Sequence, residues 1–170
     1  MTDRALNIRH ATASDAPGIV DIYNHYVEHT VVTFEEEPVA PAEMARRIQT
    51  VAAASLPWFV AEEEGRLRGY AYATRWKERT AYRFSVEITL YVAHDHARRG
   101  IGSRLYGELF PALAARGVHV ALAGIALPNE ASVAIHERFQ MRKVAHLEQV
   151  GFKLRRWVDV GYWQRTLPAG

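Results

Sequence analysis

The sequence predicts an α/β domain, a mixed, mostly antiparallel sheet of about seven strands flanked by about four helices. Three observations carry that prediction. Phe84, Val86, Ile88, Leu90 and Val92 alternate with Ser85, Glu87, Thr89 and Tyr91, so this run is a strand with one apolar and one polar face. A glycine-bearing turn, Arg98-Arg99-Gly100-Ile101-Gly102-Ser103, follows and opens a run of helical period. Val118 to Ile125 is then almost continuously apolar, as a strand buried on both faces must be. Strand, helix and strand in that order predict parallel pairing through a right-handed crossover.

The remaining elements follow in chain order. Leu6 to Ala11 is a first strand, with Leu6, Ile8 and His10 on one face. Thr12 or Ser14 supplies an N-cap, and Ile19, Ile22, Tyr23 and Tyr26 recur at helical spacing, giving a helix over about Asp15 to Glu28. Val31 to Pro38 is an acidic loop. A second helix starts at Pro41, which suits a first helical position, and runs through Met44, Ile48 and Val51 to about Ala54. Pro57 to Glu62 and Leu67 to Arg75 form a hairpin about Glu64-Gly65. The helix after Gly102 places Leu105, Leu109 and Leu113 on one face and ends at Arg116-Gly117. Asn129 caps a short helix over about Glu130 to Phe139. Arg142 to Gln149 and Leu154 to Thr166 are the last strands, with Gly151-Phe152-Lys153 in the turn between them.

Composition bounds the function. The chain has 170 residues, 49% hydrophobic and 24% charged, which suits one globular domain with a full core. Its apolar runs are too short to span a bilayer, and its start has no signal-peptide core, so a cytoplasmic protein without a membrane partner is expected. The absence of cysteine excludes disulfides, thiolate metal sites and a cysteine nucleophile. A net charge of +2, with arginines in scattered pairs, suits a small anionic ligand better than a nucleic acid. The histidines show no metal-ligand spacing, and no metal is expected.

A strand feeding a glycine turn at a helix start can cradle phosphate, because the first helical amides lack intrahelical partners and point at the anion. A tight turn also favours glycine, so the turn alone leaves both readings open. The polar face of the preceding strand carries one carboxylate, Glu87.

Ala97-Arg98-Arg99-Gly100-Ile101-Gly102 resembles the pyrophosphate loop of the GNAT superfamily of N-acetyltransferases, Gln/Arg-x-x-Gly-x-Gly/Ala, with Ala97 departing at the first position. Tyr23 to Glu28, Trp76 to Arg79, Val86-Glu87, Ile125 to Asn129, Gln149 to Lys153 and Arg156 to Gln164 resemble the branch that acetylates phosphinothricin and methionine sulfoximine, a herbicide-resistance activity. These matches span nearly the whole chain. The resemblance implies a sheet splayed between its fourth and fifth strands, with acetyl-CoA as cosubstrate. Pantetheine would lie on the backbone of Leu90, Tyr91 and Val92. Arg98, Arg99, Gly100, Ile101, Gly102 and Ser103 would hold the pyrophosphate, and Asn129 would also touch CoA. It implies Glu87 as general base and His136, at a position where the superfamily often has tyrosine, as the acid for the departing thiolate. Lys77, Glu78 and Arg79, with Glu87, Ile88 and Thr89, would contact a small amino-acid substrate. It also implies a homodimer. Gln140-Met141 stands where such enzymes usually have Gly-Phe or Gly-Tyr. An acetyltransferase for another amine, or an acetyl-CoA sensor without turnover, are the alternatives; the presence of Glu87 argues against the sensor.

Overall fold

The alternation along Ser85–Val92 produces the strand expected, β4, and its two faces divide the molecule. In this computed structural model, which describes residues 5–168, Val86 and Ile88 point into a core built on helix α3, Ile101–Ala115. That helix presents Leu105, Tyr106, Leu109, Phe110 and Leu113 at helical spacing. Leu105, Leu109 and Leu113 are fully buried, and each contributes on the order of 2 kcal/mol by leaving water. Tyr91, on the other face of β4, packs against a second core. That core is made by α1 (Ala16–His29) and α2 (Pro41–Ala53). Strand β2, Trp58–Glu63, is buried on both faces: Trp58 and Val60 enter the second core, Phe59 and Ala61 the first.

The other strands are β1 (Asn7–His10), β3 (Arg66–Arg75), β5 (Val120–Leu127), β6 (Arg142–Lys153) and β7 (Arg156–Thr166). The fourth helix, α4, is Glu130–Arg138. The seven strands lie in the order β1-β2-β3-β4-β5-β7-β6, antiparallel except between β4 and β5. The sheet is split at that parallel pair. β4 and β5 share three rungs, Ser85 with Val120, Val86 with Ala121 and Glu87 with Leu122. Beyond them, β4 keeps only β3 beside it and β5 keeps only β7. No helix among the described residues is long and apolar enough to cross a membrane.

Two expectations are corrected. Phe84 precedes β4 and is 50% exposed, with the Arg83 guanidinium over its ring, so the apolar face begins at Val86. The β6–β7 turn is not Gly151-Phe152-Lys153. β6 runs on through those residues, and Leu154-Arg155 makes a two-residue turn with φ of 50° and 61°. Gly151 is a strand residue whose missing side chain makes room: a Cβ there would stand 2.3 Å from the Phe34 ring.

Candidate active site

Glu87 occupies the last rung of the β4–β5 ladder, so its carboxylate sits at the apex of the split. Burial pushes its carboxyl above the usual 4.5, and the positive charge of Lys77 opposes that shift. Among the described residues no hydrogen-bond donor reaches the carboxylate. Gly124 of β5 leaves the space beside it open: a Cβ there would be 3.3 Å from Glu87 Oε1 and 3.2 Å from the Tyr162 ring. Tyr162 in turn meets Trp76 edge to face at 5.5 Å. Glu87 is therefore a partly desolvated carboxylate with one open side, bordered by aromatic rings.

A cavity of about 1040 Å³ runs from Glu87 down the split. One wall is β4 from Glu87 to Val92, and the facing wall is Gly124 to Ala126 of β5 with the start of α4. Past Glu87 the β4 edge has no ladder partner on this side, so alternate backbone groups face the cavity. One of the backbone groups expected for pantetheine is already engaged: the Tyr26 hydroxyl donates to the Val92 carbonyl. The Ile88 side chain is 3% exposed in the first core, so this residue meets the cavity through its backbone.

The far end of the cavity is the start of α3. Gly100 caps that helix with φ of 76°, a left-handed backbone that glycine adopts without strain. The first backbone bond back into the turn is Arg104 N–H to the Gly100 carbonyl, so the amides of Ile101, Gly102 and Ser103 precede the helical ladder. Arg98, Gly100, Ile101, Gly102 and Ser103 line the cavity; Arg99 is exposed and does not. Gly102 has a packing role. A Cβ there would stand 2.7 Å from Ile135 Cδ1 and 3.1 Å from Leu90 Cδ2, so glycine lets α3 close on both α4 and β4. Free amides, a positive helix end and an open strand edge together fit the phosphates and amide arm of acetyl-CoA.

Asn129 is the N-cap of α4, its Oδ1 accepting from the Ser132 amide at 3.1 Å, and it also borders the cavity. His136 borders it too, but its ring nitrogens are engaged. Nδ1 lies 2.6 Å from the Ser132 carbonyl, which only accepts, so Nδ1 carries the proton. Nε2 of the neutral ring then accepts from the Tyr106 hydroxyl at 2.8 Å. Burial lowers the His136 pKa, which keeps the ring neutral. Neither nitrogen is free to protonate a thiolate in this arrangement. Lys77, Glu78 and Arg79 lie in the exposed β3–β4 connection, off the cavity wall. Lys77 Nζ is 5.0 Å from the Trp76 ring and reaches Glu87 electrostatically. Thr89 is on the wall.

Residues not singled out from the sequence complete the site. Gly124 had a legible signal, a glycine inside an apolar strand, which marks close approach. Val32 and Thr33 reach the wall from the α1–α2 loop, which has no periodicity to reveal it. Among the described residues no group of three or more His, Cys, Asp or Glu side chains could hold a metal ion.

Comparison with known proteins gives a consistent picture. A family profile described as an acetyltransferase (GNAT) domain matches residues 8–161. The chain is 44% identical over 168 residues to the phosphinothricin N-acetyltransferase of Streptomyces viridochromogenes, covering 98% of this chain and 91% of the relative. It is 32% identical over 162 residues to the L-methionine sulfoximine/L-methionine sulfone acetyltransferase of Salmonella typhimurium, covering 95% of each. Among solved structures, a GNAT superfamily phosphinothricin acetyltransferase from Sinorhizobium meliloti, in complex with acetyl-CoA, superposes with a TM-score of 0.92 at 37% identity, over 95% of this chain and 88% of that one.

Proposed function

This chain belongs to the GNAT acetyltransferase family and is an acetyl-CoA-dependent N-acyltransferase, and from that premise we propose that it acetylates the α-amine of a small amino acid such as phosphinothricin or methionine sulfoximine. The observation that carries the reading is Glu87, an unpaired carboxylate at the apex of a split whose other end is the start of α3.

At neutral pH an α-ammonium must lose a proton before it can attack a thioester. Glu87, its pKa raised by burial, is a stronger base than an exposed carboxylate and takes that proton, directly or through one water. The amine nitrogen then bonds to the acetyl carbon and gives up its second proton, the carbon–sulfur bond breaks, and the sulfur takes a proton from solvent, so CoA leaves as its thiol. Backbone amides on the open edge of β4 polarise the acetyl carbonyl. The amides of Ile101, Gly102 and Ser103, with Arg98, hold the pyrophosphate, and Asn129 adds a contact. Lys77, whose charge acts on Glu87, attracts the substrate's anionic groups, with Arg79 two residues further along the same connection. His136 fastens α4 to α3 through Ser132 and Tyr106.

The protein acts as a homodimer in this reading. The β6–β7 hairpin carries exposed Val150, Phe152, Leu154 and Trp157, an apolar surface that a second copy would cover. Sedimentation at micromolar concentration is expected to give a dimer, and Trp157→Glu a monomer.

A thiol-release assay with phosphinothricin, methionine sulfoximine and a wider amine panel tests the function. Release of CoA with one of the two amino acids is expected. Binding of acetyl-CoA with turnover of neither would reject the substrate class, and the panel would then separate an acetyltransferase for another amine from a sensor.

A further inference from the structure

Lys153, near the end of β6, is a buried amine that the chemistry above does not use. It is 2% exposed, off the cavity wall, and its Nζ donates to the Thr33 carbonyl at 2.8 Å. Burial pulls its pKa below the usual lysine range, while Glu36 and Glu35 oppose that. Taking an ammonium out of water is costly, and an apolar side chain would fill the place more cheaply. What the ammonium adds is a directed, charge-assisted hydrogen bond to one atom of the α1–α2 loop.

That loop crosses the split. On one side the Thr33 hydroxyl lies 2.7 Å from the Tyr23 hydroxyl of α1. Tyr23 in turn meets the Tyr91 ring of β4 edge to face at 5.2 Å. On the other side the Thr33 carbonyl is held by Lys153, and Phe34 rests on Gly151 in the space its missing side chain leaves. Thr33 thus ties α1, which packs on β3 and β4, to β6 in the other half of the sheet, and with Val32 it lines the cavity. We propose that Lys153 is a positioning residue for the amine acceptor: from β6 it holds the Thr33 carbonyl and so fixes how closely the α1–α2 loop stands over the open split. This rests on the acetyl-transfer reading for the identity of the ligand, while the tether itself does not.

Lys153→Met removes the donor and keeps most of the stem volume; Lys153→Arg keeps a donor. The Met variant is expected to raise KM for the amine about tenfold, with kcat changed less than about threefold. Its acetyl-CoA Kd stays within about twofold of wild type, and Arg restores most of the KM. Amide hydrogen exchange across residues 30–39 quickens about tenfold in the Met variant while that of α3 does not change. Unchanged exchange in folded Lys153→Met overturns the tether. Faster exchange with an unchanged amine KM overturns the positioning role. If the wild-type protein acetylates no amine, the acetyl-transfer reading fails instead, and exchange still decides the tether. Should Lys153→Met not fold, Gly151→Ala, which presses a methyl group into the Phe34 ring, takes the same measurements with the same expected directions.

Discussion

In the proposed mechanism Glu87 sets activity against stability in one side chain. Its folded pKa lies above the unfolded 4.5, so the folded state binds the proton more tightly. The stability this gives is fully present below pH 4.5 and is lost as pH rises through the folded value. At neutral pH the buried carboxylate is therefore a burden that glutamine would relieve. Glu87→Gln is expected to lower kcat by about 10²-fold or more while raising Tm at pH 7. The gain in Tm should shrink as pH falls toward 4.5; an unchanged kcat would sink the base assignment. His136 behaves in the opposite sense. Its folded pKa is lowered, so its contribution is present above the unfolded 6.5 and lost as pH falls through the folded value. His136→Phe leaves the Tyr106 hydroxyl and Ser132 carbonyl without their partner and should cost about 2–4 kcal/mol in urea unfolding at pH 7.5. It should lower kcat less than tenfold, whereas a loss near that of Glu87→Gln would return His136 to the role of acid. The alternation along β4 made Glu87 legible in the sequence. Nothing in the residues around His136 revealed that Tyr106, thirty positions earlier, would occupy its Nε2.

The elements whose chemistry is local were read from the sequence to within a few residues. α2 begins at Pro41 and β4 carries its apolar face, because capping and alternation act over a few neighbours. The β6–β7 turn was misplaced because Gly151 looks like turn chemistry, and only the three-dimensional neighbour Phe34 explains it. Gln140 shows the converse. It stands where the family resemblance leads one to expect glycine, yet α4 ends there as glycine would end it. Gln140 has φ of 63°, its amide bonds the Glu137 carbonyl, and the Met141 amide bonds the His136 carbonyl. Met141 completes the turn by entering the first core. A left-handed non-glycine residue is strained by about 1–2 kcal/mol. Gln140→Gly should accordingly raise stability by roughly 0.5–1 kcal/mol, after its greater unfolded-chain entropy is set against that strain, with activity unchanged. A lower Tm would mean that the Gln140 side chain makes a contribution of its own. At the start of α3, Gly102→Ala should have the reverse effect. Its methyl group meets Ile135 and Leu90, so about 1–3 kcal/mol of stability and some acetyl-CoA affinity should be lost together. Unaltered values for both in calorimetry would show that α3 has room to shift.

On the scale of the whole molecule, the sheet is two blocks joined by three rungs. β1 to β4 form one block with α1 and α2, and β5, β7 and β6 form the other. The first core crosses the join through α3, which packs on β4, while Ala121, Ala123 and Ile125 of β5 enter the same cluster. The α1–α2 loop crosses on the opposite face. Between these two crossings the edges of β4 and β5 face each other without pairing, and a cosubstrate lying in the cavity would touch both. It would bind the folded chain and not the unfolded one, so acetyl-CoA at about 100 times its Kd should add about 2.7 kcal/mol, or roughly 5–10 °C in Tm. The added protection should be uneven. Amide exchange should slow most at Ile88 to Val92 and Ala123 to Leu127, whose unpaired edges face the split, and least in β1 and β2, which lie at the far side of the first block. A Tm rise with exchange slowed equally everywhere would place the ligand outside the split, because only a ligand seated between the blocks protects their facing edges first.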